Sequence, residues 1–522
     1  MREDFDLAVL GSGFGGSLLA MAARKLGLSV VMLEKGSHPR FAIGESSSPL
    51  ANVLLEELCD EYDLPALRPL SKWGTWRRER PELACGLKRG FTFLGQTFGE
   101  PFSPAPDRRN QLLVAASPRD EIADTHWYRA ELDEFLAHQA RQIGVDLVDR
   151  IVLDVAATDT EGIRLEGSRF GNRVSIRAKL AVDASGPRGA LFRLLGLAER
   201  SFPDFPATQA LFTHFEGVER LDESAALDFR GAPYPADDAA VHHVFEGGWI
   251  WVLRFSNGIT SAGFAATDTL AAGLDLQEPE GAWRRLLSRL PTVRDQFAGA
   301  RRILPWIHTP RLSFRSVETA GERWALLPSA SAFVDPLLST GIPLTLLGVK
   351  RFAAAIRDLW GSARFPARIA AEAQKGLTEA DAVSSLVAAL YASFDDFPVF
   401  SALTMLYFAA ASYSETARRL GRAELAPSFL LHEGPGFGAE FRRICATARR
   451  SRELRASPPA RRELLESIRR AIDPINVAGL CYPARRNWYP VEAEDLLGSA
   501  RKLGTSREEV AAMLQRTEFA AR

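Results

Sequence analysis

The chain is poor in sulfur: its 522 residues hold only 4 Cys and 5 Met. Cys59, Cys85, Cys445 and Cys481 are scattered, with no CxxC and no histidine–cysteine group at zinc-ligand spacing. That excludes a zinc module, leaves no metal among the expected ligands, and predicts reduced thiols. A surplus of charge is also missing. The 64 Lys and Arg against 65 Asp and Glu leave a net charge of −1, so there is no field to hold a phosphate backbone or an anionic membrane, and nucleic acid is excluded as a partner. The opening MREDFDLAVLGSG lacks the basic start and long apolar stretch of a signal peptide. The most apolar later run, around Ala402 to Ala411, is about half the length that crosses a bilayer. The expectation is a soluble, cytoplasmic protein with no membrane partner. There is no internal repeat, which excludes a solenoid.

What is present is an ordinary globular composition, 46% hydrophobic and 25% charged, in a chain long enough for two to four units at about 150 residues each. Phe5 to Leu10 reads as a buried strand, Gly11 to Gly16 as a tight turn, Ser17 to Leu26 as an amphipathic helix and Ser29 to Leu33 as a second strand. Ser48-Pro49 reads as an N-cap with proline at the first helical position of Pro49 to Tyr62. Leu87 to Leu94 reads as a strand, Gly95 to Asp107 as a long loop, Trp127 to Ile143 as a helix, and Ala178 to Val182 as an apolar strand. Thr208 to Thr269 alternates as strands do, and from Leu344 the pattern is mostly helical. Strands and helices in series predict an α/β fold: a Rossmann-like dinucleotide-binding domain over 1–205, completed by about 310–360, an inserted antiparallel β-sheet substrate region over 206–310, and a mostly helical region over 361–522. Residues Arg442 to Arg470 are rich in arginine, which reads as a solvated helical face or as a docking surface for an acidic partner.

The turn carries the first chemistry. Gly11-x-Gly13-Phe14-x-Gly16 follows a strand and opens a helix, and Glu34-Lys35 ends the next strand. Glycines let the backbone approach a pyrophosphate, the helix start supplies amide donors, and Glu34 accepts ribose hydroxyls, so FAD or NAD fits and NADP does not. No second GxGxxG follows. That argues against a nicotinamide domain in the same chain and for a separate electron donor.

Tyr128-Arg129-Ala-Glu-Leu-Asp133, Leu180-Ala-Val-Asp183-Ala-Ser-Gly186-Pro187 and Asp335-Pro336-Leu-Leu338-Ser339-Thr340-Gly341-Ile342 resemble elements of the FAD fold shared by aromatic hydroxylases, prenyl reductases and flavin-dependent halogenases. Gly44-Glu45-Ser46-Ser47-Ser48-Pro49, the lysine of Cys85-Gly86-Leu87-Lys88, and Trp249-Ile250-Trp251-Val252-Leu253 narrow the likeness to the halogenases, in particular a phloroglucinol-type phenolic subgroup. The resemblance implies FAD supplied reduced by a flavin reductase, chloride or bromide as co-substrate, and a small aromatic substrate, free or tethered to a carrier protein. It further implies hypohalous acid as the reactive species, presented to the ring by Lys88 as catalytic residue, with halide held by Thr340 and Gly341. Arg40, Glu45, Ser46, Arg129, Asp183, Asp335 and Ile342 join Gly11, Gly13, Phe14, Gly16, Glu34 and Lys35 on the cofactor side. Lys72 is the competing lysine.

Three departures from the family pattern carry expectations. Leu338 stands where tryptophan-type halogenases have a glutamate, which favours a phenol, because a phenol donates electron density through its own hydroxyl. Arg254 replaces the proline of the Trp-x-Trp motif. Leu327-Pro328-Ser329-Ala330 replaces a Gly-Asp-Ala, removing a carboxylate and predicting a loosely held flavin. His126, His242 and His243 beside strands are assigned no role. The alternatives are a flavoprotein monooxygenase or reductase of the same fold without halide chemistry, and a flavin-binding accessory protein without catalysis.

Overall fold

The structure, a computed structural model, describes residues 3–224 and 226–519. Asp4–Leu10 forms a strand because its apolar run is buried on both faces, as central parallel strands are. It pairs in parallel with Val30–Leu33 on one side and with Asn172–Asp183 on the other. Asp146–Val148 extends this sheet at one edge, Ile163–Arg169 and Ile151–Thr158 at the other, and Trp324–Leu326 pairs with the far end of Asn172–Asp183. The helix Phe14–Lys25 covers one face together with Arg129–Gln142 and Gly341–Leu359.

A second, nine-stranded sheet runs in the order Arg301–Arg302, Thr208–Glu216, Ile259–Thr267, Gly248–Arg254, Ala240–Phe245, Gly90–Gly95, Gln111–Ala115, Trp488–Tyr489, with Ile307–Thr309 beside Thr208–Glu216. It is therefore built from stretches far apart in the chain. Gly90–Gly95 lies parallel to Ala240–Phe245, and Trp488–Tyr489 adds an edge strand from within the otherwise helical C-terminal region.

Local readings fare differently. Pro49–Glu61 is a helix whose N-cap Ser48 accepts from the Ala51 amide. The strand expected over Leu87 to Leu94 is two, Cys85–Lys88 and Gly90–Gly95. Arg89 breaks it, its amide donating to the Asp238 carbonyl and its guanidinium pairing with Asp120. The helix expected from Trp127 starts at Arg129, because Asp124–Trp127 is extended and pairs antiparallel with Cys85–Lys88.

The apolar run around Ala402 to Ala411 is part of a longer helix, Phe397–Arg419, in which Thr404 and Ser414 turn their hydroxyls onto carbonyls four residues back. By length and composition alone this helix is long and apolar enough to cross a membrane, and 78% of its most apolar window is buried inside the protein. One apolar cluster joins Leu18, Leu54, Leu338, Tyr407 and Val510, so the C-terminal helices share a core with the dinucleotide end.

Candidate active site

Gly16 packs the first helix against the turn: a Cβ there would lie 2.1 Å from the Gly11 carbonyl oxygen. Glu34 accepts from the Ser12 amide (3.0 Å), the Ser12 hydroxyl (2.9 Å) and the Gly36 amide (2.9 Å), and pairs with Arg40 at 3.3 Å. Burial raises its carboxyl, but the Arg40 charge and these amides outweigh burial and hold it below the usual carboxylate range. Glu34, Lys35, Arg40, Gly11 and Ser185 line a cavity of about 250 Å³ at this end.

Arg40 and Ser185 also line a larger cavity of about 480 Å³, together with Gly13, Phe14, Glu45, Ser46 and Arg129 on one side and Trp249, Trp251, Asp335, Thr340, Gly341 and Ile342 on the other. Arg129 is a bracket. Its guanidinium grips Asp133 bidentately at 2.7 and 2.8 Å and donates to the carbonyls of Ile43 (2.9 Å) and Gly44 (3.1 Å), fixing the Gly44–Pro49 loop along the cavity. Glu45 is pinned by His214 at 2.8 Å. Asp335 takes the Leu337 amide and the Tyr391 hydroxyl, both at 2.9 Å, and burial pushes its carboxyl up to about 7.

Asp183 and Gly16, expected on the cofactor side, do not line either cavity. Asp183 spends its carboxylate on Ser185 and on the Leu191 amide, so it shapes the loop that does face the cavity. An FAD fits this arrangement. The two cavities share Arg40 and Ser185 on either side of the glycine turn, and the Arg40 Nε, Glu45 Oε2 and Ser46 Oγ atoms lining the larger one are buried without partners in the protein.

At the far end the chain turns through Leu338 (φ 68°) and Ser339 (φ 55°), two non-glycine residues in the left-handed region, before Gly341–Leu359 begins. Such backbone costs about 1–3 kcal/mol per residue and is kept where a loop must present something. Here it places Thr340 and Gly341 at a helix start, whose first amides lack intrahelical partners and suit an anion. Leu338 itself is buried in the core and lines neither cavity.

Lys88 is fully buried. Gly86, two residues before it, has no room for a side chain, since a Cβ would sit 1.9 Å from the Arg254 carbonyl oxygen, and this close crossing fixes the strand that carries the lysine. The Lys88 ammonium donates to the Ser47 carbonyl at 2.5 Å, lies 3.5 Å from the Ser339 hydroxyl, and sits 3.8 Å from the centre of the Phe91 ring. Burial drives its pKa down from the ordinary lysine value, opposed by the charge of Asp124.

Ser339 belongs to the flavin-sized cavity, whereas Phe91 and Asp124 line a different one, of about 130 Å³, whose apolar wall includes Val114, Tyr407, Phe408, Leu480, Tyr489, Met513 and Phe519. Lys88 thus stands in the partition between the two. Lys72 lines only the second cavity and lies 3.9 Å from Glu56.

Two departures acquire structural roles. Arg254 pairs with buried Asp237 at 2.8 Å and donates to the Val218 carbonyl, so it ties two loops of the large sheet together. Pro328 and Ser329 line the flavin-sized cavity where the carboxylate is missing. His242 stacks on Phe93 and Trp249 with its pKa lowered to about 3, and His243 bonds Gln96 and Gln296 with its pKa lowered to about 4, in both cases chiefly by burial. Both are buried and neutral; His243 is a core residue, and His242 also lines the flavin-sized cavity. The sequence reading missed Asn52, Asp124, Tyr407 and the C-terminal residues of the second cavity. No motif marks them, and only strand register and distant helices bring them together.

Comparison with known proteins agrees with this geometry. A family model described as tryptophan halogenase matches residues 123–393. Tetracycline 7-halogenase of Kitasatospora aureofaciens is 30% identical over 421 residues, covering 78% of this chain and 73% of its own length. Monodechloroaminopyrrolnitrin halogenase PrnC of Pseudomonas fluorescens is 28% identical over 416 residues, 77% and 70% of the two chains. The crystal structure of halogenase PltM in complex with phloroglucinol and FAD superposes with a TM-score of 0.81 at 26% identity, over 92% of this chain and 99% of that one. A two-part dinucleotide cavity, an anion-suited loop beside it and these relatives lead to one assignment: the chain belongs to the flavin-dependent halogenases, oxidoreductases that work with FAD.

Proposed function

We propose that this halogenase takes externally reduced FAD, oxygen and chloride or bromide and halogenates a phenolic or similarly electron-rich aromatic held in the second cavity, with Lys88 presenting the halogen. The observation that carries the reading is the placement of Lys88, a buried amine between a cavity fit for FAD and one walled by Phe91, Tyr407 and Phe408. The FAD supplies, when bound and reduced, the electrons with which oxygen and halide give hypohalous acid. Gly11, Gly13, Phe14, Glu34, Lys35, Arg40, Glu45, Ser46, Arg129, Asp335 and Ile342 hold or frame it, and Thr340 and Gly341 hold halide. The ammonium of Lys88 then hydrogen-bonds hypohalous acid, or its neutral amine takes up the halogen. Burial lowers the cost of the neutral form.

The sheet region over 206–310, expected to hold substrate, supports the cofactor side in this reading: Ala210, Phe212, Trp249 and Trp251 line the flavin-sized cavity. The aromatic cavity takes its walls from residues 49–124 and 407–519.

Two expected outcomes test the proposal. Purified protein should oxidise NADH poorly alone and turn over once a separate flavin reductase supplies reduced FAD; rapid NADH-dependent flavin reduction without a partner would favour a hydroxylase. In mass spectrometry of a substrate panel with FAD, reductase, NADH, oxygen and chloride or bromide, electron-rich phenols should gain halogen faster than tryptophan, because Leu338 brings no carboxylate to the Ser-Thr-Gly loop. Free tryptophan outrunning every phenol would refute the substrate class.

A further inference from the structure

Leu338 brings no carboxylate to the Ser-Thr-Gly loop, but the aromatic cavity has one of its own, Asp124. Asp124 sits directly across from Lys88 in the antiparallel pair of Cys85–Lys88 with Asp124–Trp127, so the two side chains emerge on the same side of the ribbon. Both are buried and each feels the other's charge, yet no ion pair within 4.0 Å joins them among the described residues. They are linked through a third element instead. Lys88 donates to the Ser47 carbonyl (2.5 Å), the Ser47 hydroxyl donates to Asn52 Oδ1 (2.9 Å), and Asn52 Nδ2 donates to Asp124 Oδ1 (2.6 Å). The second oxygen, Asp124 Oδ2, is buried with no partner in the protein. Asp124 and Asn52 line the aromatic cavity. A buried carboxylate oxygen without a donor is costly, and its retention calls for a donor that arrives from outside the chain.

Building on the phenolic reading above, we propose that Asp124 is a catalytic residue: its Oδ2 accepts the hydroxyl proton of the bound phenol as the ring is halogenated. The step balances as follows. A ring carbon ortho or para to the hydroxyl forms its bond to halogen while the halogen–oxygen bond of hypohalous acid breaks. That electron pair stays on oxygen, which takes a proton from the Lys88 ammonium and leaves as water, and the phenolic proton passes to Asp124. The halogenated carbon then loses its hydrogen as a proton to the Lys88 amine, restoring the aromatic ring, and Asp124 returns its proton to the phenolate oxygen.

The surroundings favour a base of this kind. Burial pushes the Asp124 carboxyl up, with Glu415 adding to the rise, while the charges of Lys88 and Arg419 oppose it. A raised carboxyl pairs better with the weak acidity of a phenol, since a general base works best when its pKa lies near the working pH. Asn52 fixes the orientation of the group through the oxygen that is not used.

The test compares Asp124→Asn with wild type, as full-length chains given FAD, a flavin reductase, NADH and bromide, on two phenols. At mildly alkaline pH para-cresol keeps its proton and para-nitrophenol is already ionised. The asparagine variant should lose about 10²- to 10⁴-fold in bromination of para-cresol. Its bromination of para-nitrophenol relative to wild type should change by less than about tenfold, and FAD binding and oxygen consumption should be unaltered. Equal losses on both phenols, or no loss on para-cresol, would overturn the assignment. Should Asp124→Asn fail to fold, Asp124→Ser, smaller and equally uncharged, carries the same comparison. Wild-type protein that brominates neither phenol but does halogenate an indole would overturn the phenolic reading itself, an outcome separate from a failure of Asp124 alone.

Discussion

Lys88→Ala is expected to lower carbon–halogen bond formation by at least about 10²- to 10⁴-fold, the loss typical of removing a proton-transferring group from a reacting centre. FAD binding should stay intact, because no residue of the dinucleotide turn contacts the lysine. The ammonium touches Ser47 and Ser339, one on the loop along the larger cavity and the other at the anion-suited turn. Its loss therefore removes the amine that stands between the cavities and leaves the lining of each in place. Oxygen consumption should continue, with peroxide or hypohalous acid released in place of product, measurable by a trap in the medium.

Lys88→Arg refines the result. Arginine keeps a donor but, with a pKa of about 12 or more, stays charged at working pH and cannot carry the halogen covalently. Near wild-type activity in that variant would exclude an obligatory haloamine. Wild-type activity in the alanine variant would remove Lys88 from the mechanism and direct attention to Lys72.

Gly16→Val carries the second large effect, this time on binding and folding together. A Cβ at position 16 would sit 2.1 Å from the Gly11 carbonyl and 3.2 Å from the Ala184 Cβ, and valine adds two methyl groups beyond that. Helix Phe14–Lys25 must move away from the first strand. Overpacking of this degree costs about 3 kcal/mol, and the movement withdraws the helix start from the pyrophosphate position. Flavin fluorescence titration should show FAD affinity reduced more than about 100-fold, a loss of at least ~2.7 kcal/mol, with a lower melting temperature in the same sample. Unchanged affinity would place the dinucleotide elsewhere.

These two residues show what was readable and what was not. The glycine turn, Glu34 and the Ser48 cap are local: each depends on residues within a turn or two, or on one adjacent strand, and sequence spacing encodes it directly, whereas Arg129 was marked only by the family resemblance of its segment and its grip on Asp133 comes from the fold. Lys88 was legible only through its neighbours, because a single polar residue in a strand is ordinary alternation. Its special position comes from a strand shorter than expected, ended at Arg89, and from Gly86 passing under the Arg254 backbone. Asp124 was not legible. The segment before Arg129 carries no motif, and its importance rests on register with Cys85–Lys88. The second cavity was less so still, since Tyr407, Leu480, Met513 and Phe519 reach it from helices and loops hundreds of residues away from Phe91. Arg254 looked like damage to a motif and is a tie to Asp237, a role that only the folded chain discloses.

The central claim is a division of labour across Lys88, with halide and flavin on one side and the aromatic ring on the other. Crystals grown with FAD, bromide and a phenol, measured at the bromine absorption edge, test it most directly. The account predicts an anomalous peak at Thr340 and Gly341 in the flavin cavity and the phenol ring against Phe91 and Tyr407, with the Lys88 amine between them. Bromide and phenol found together in the flavin cavity, or bromide bound beside Lys72 with nothing at Thr340, would contradict it.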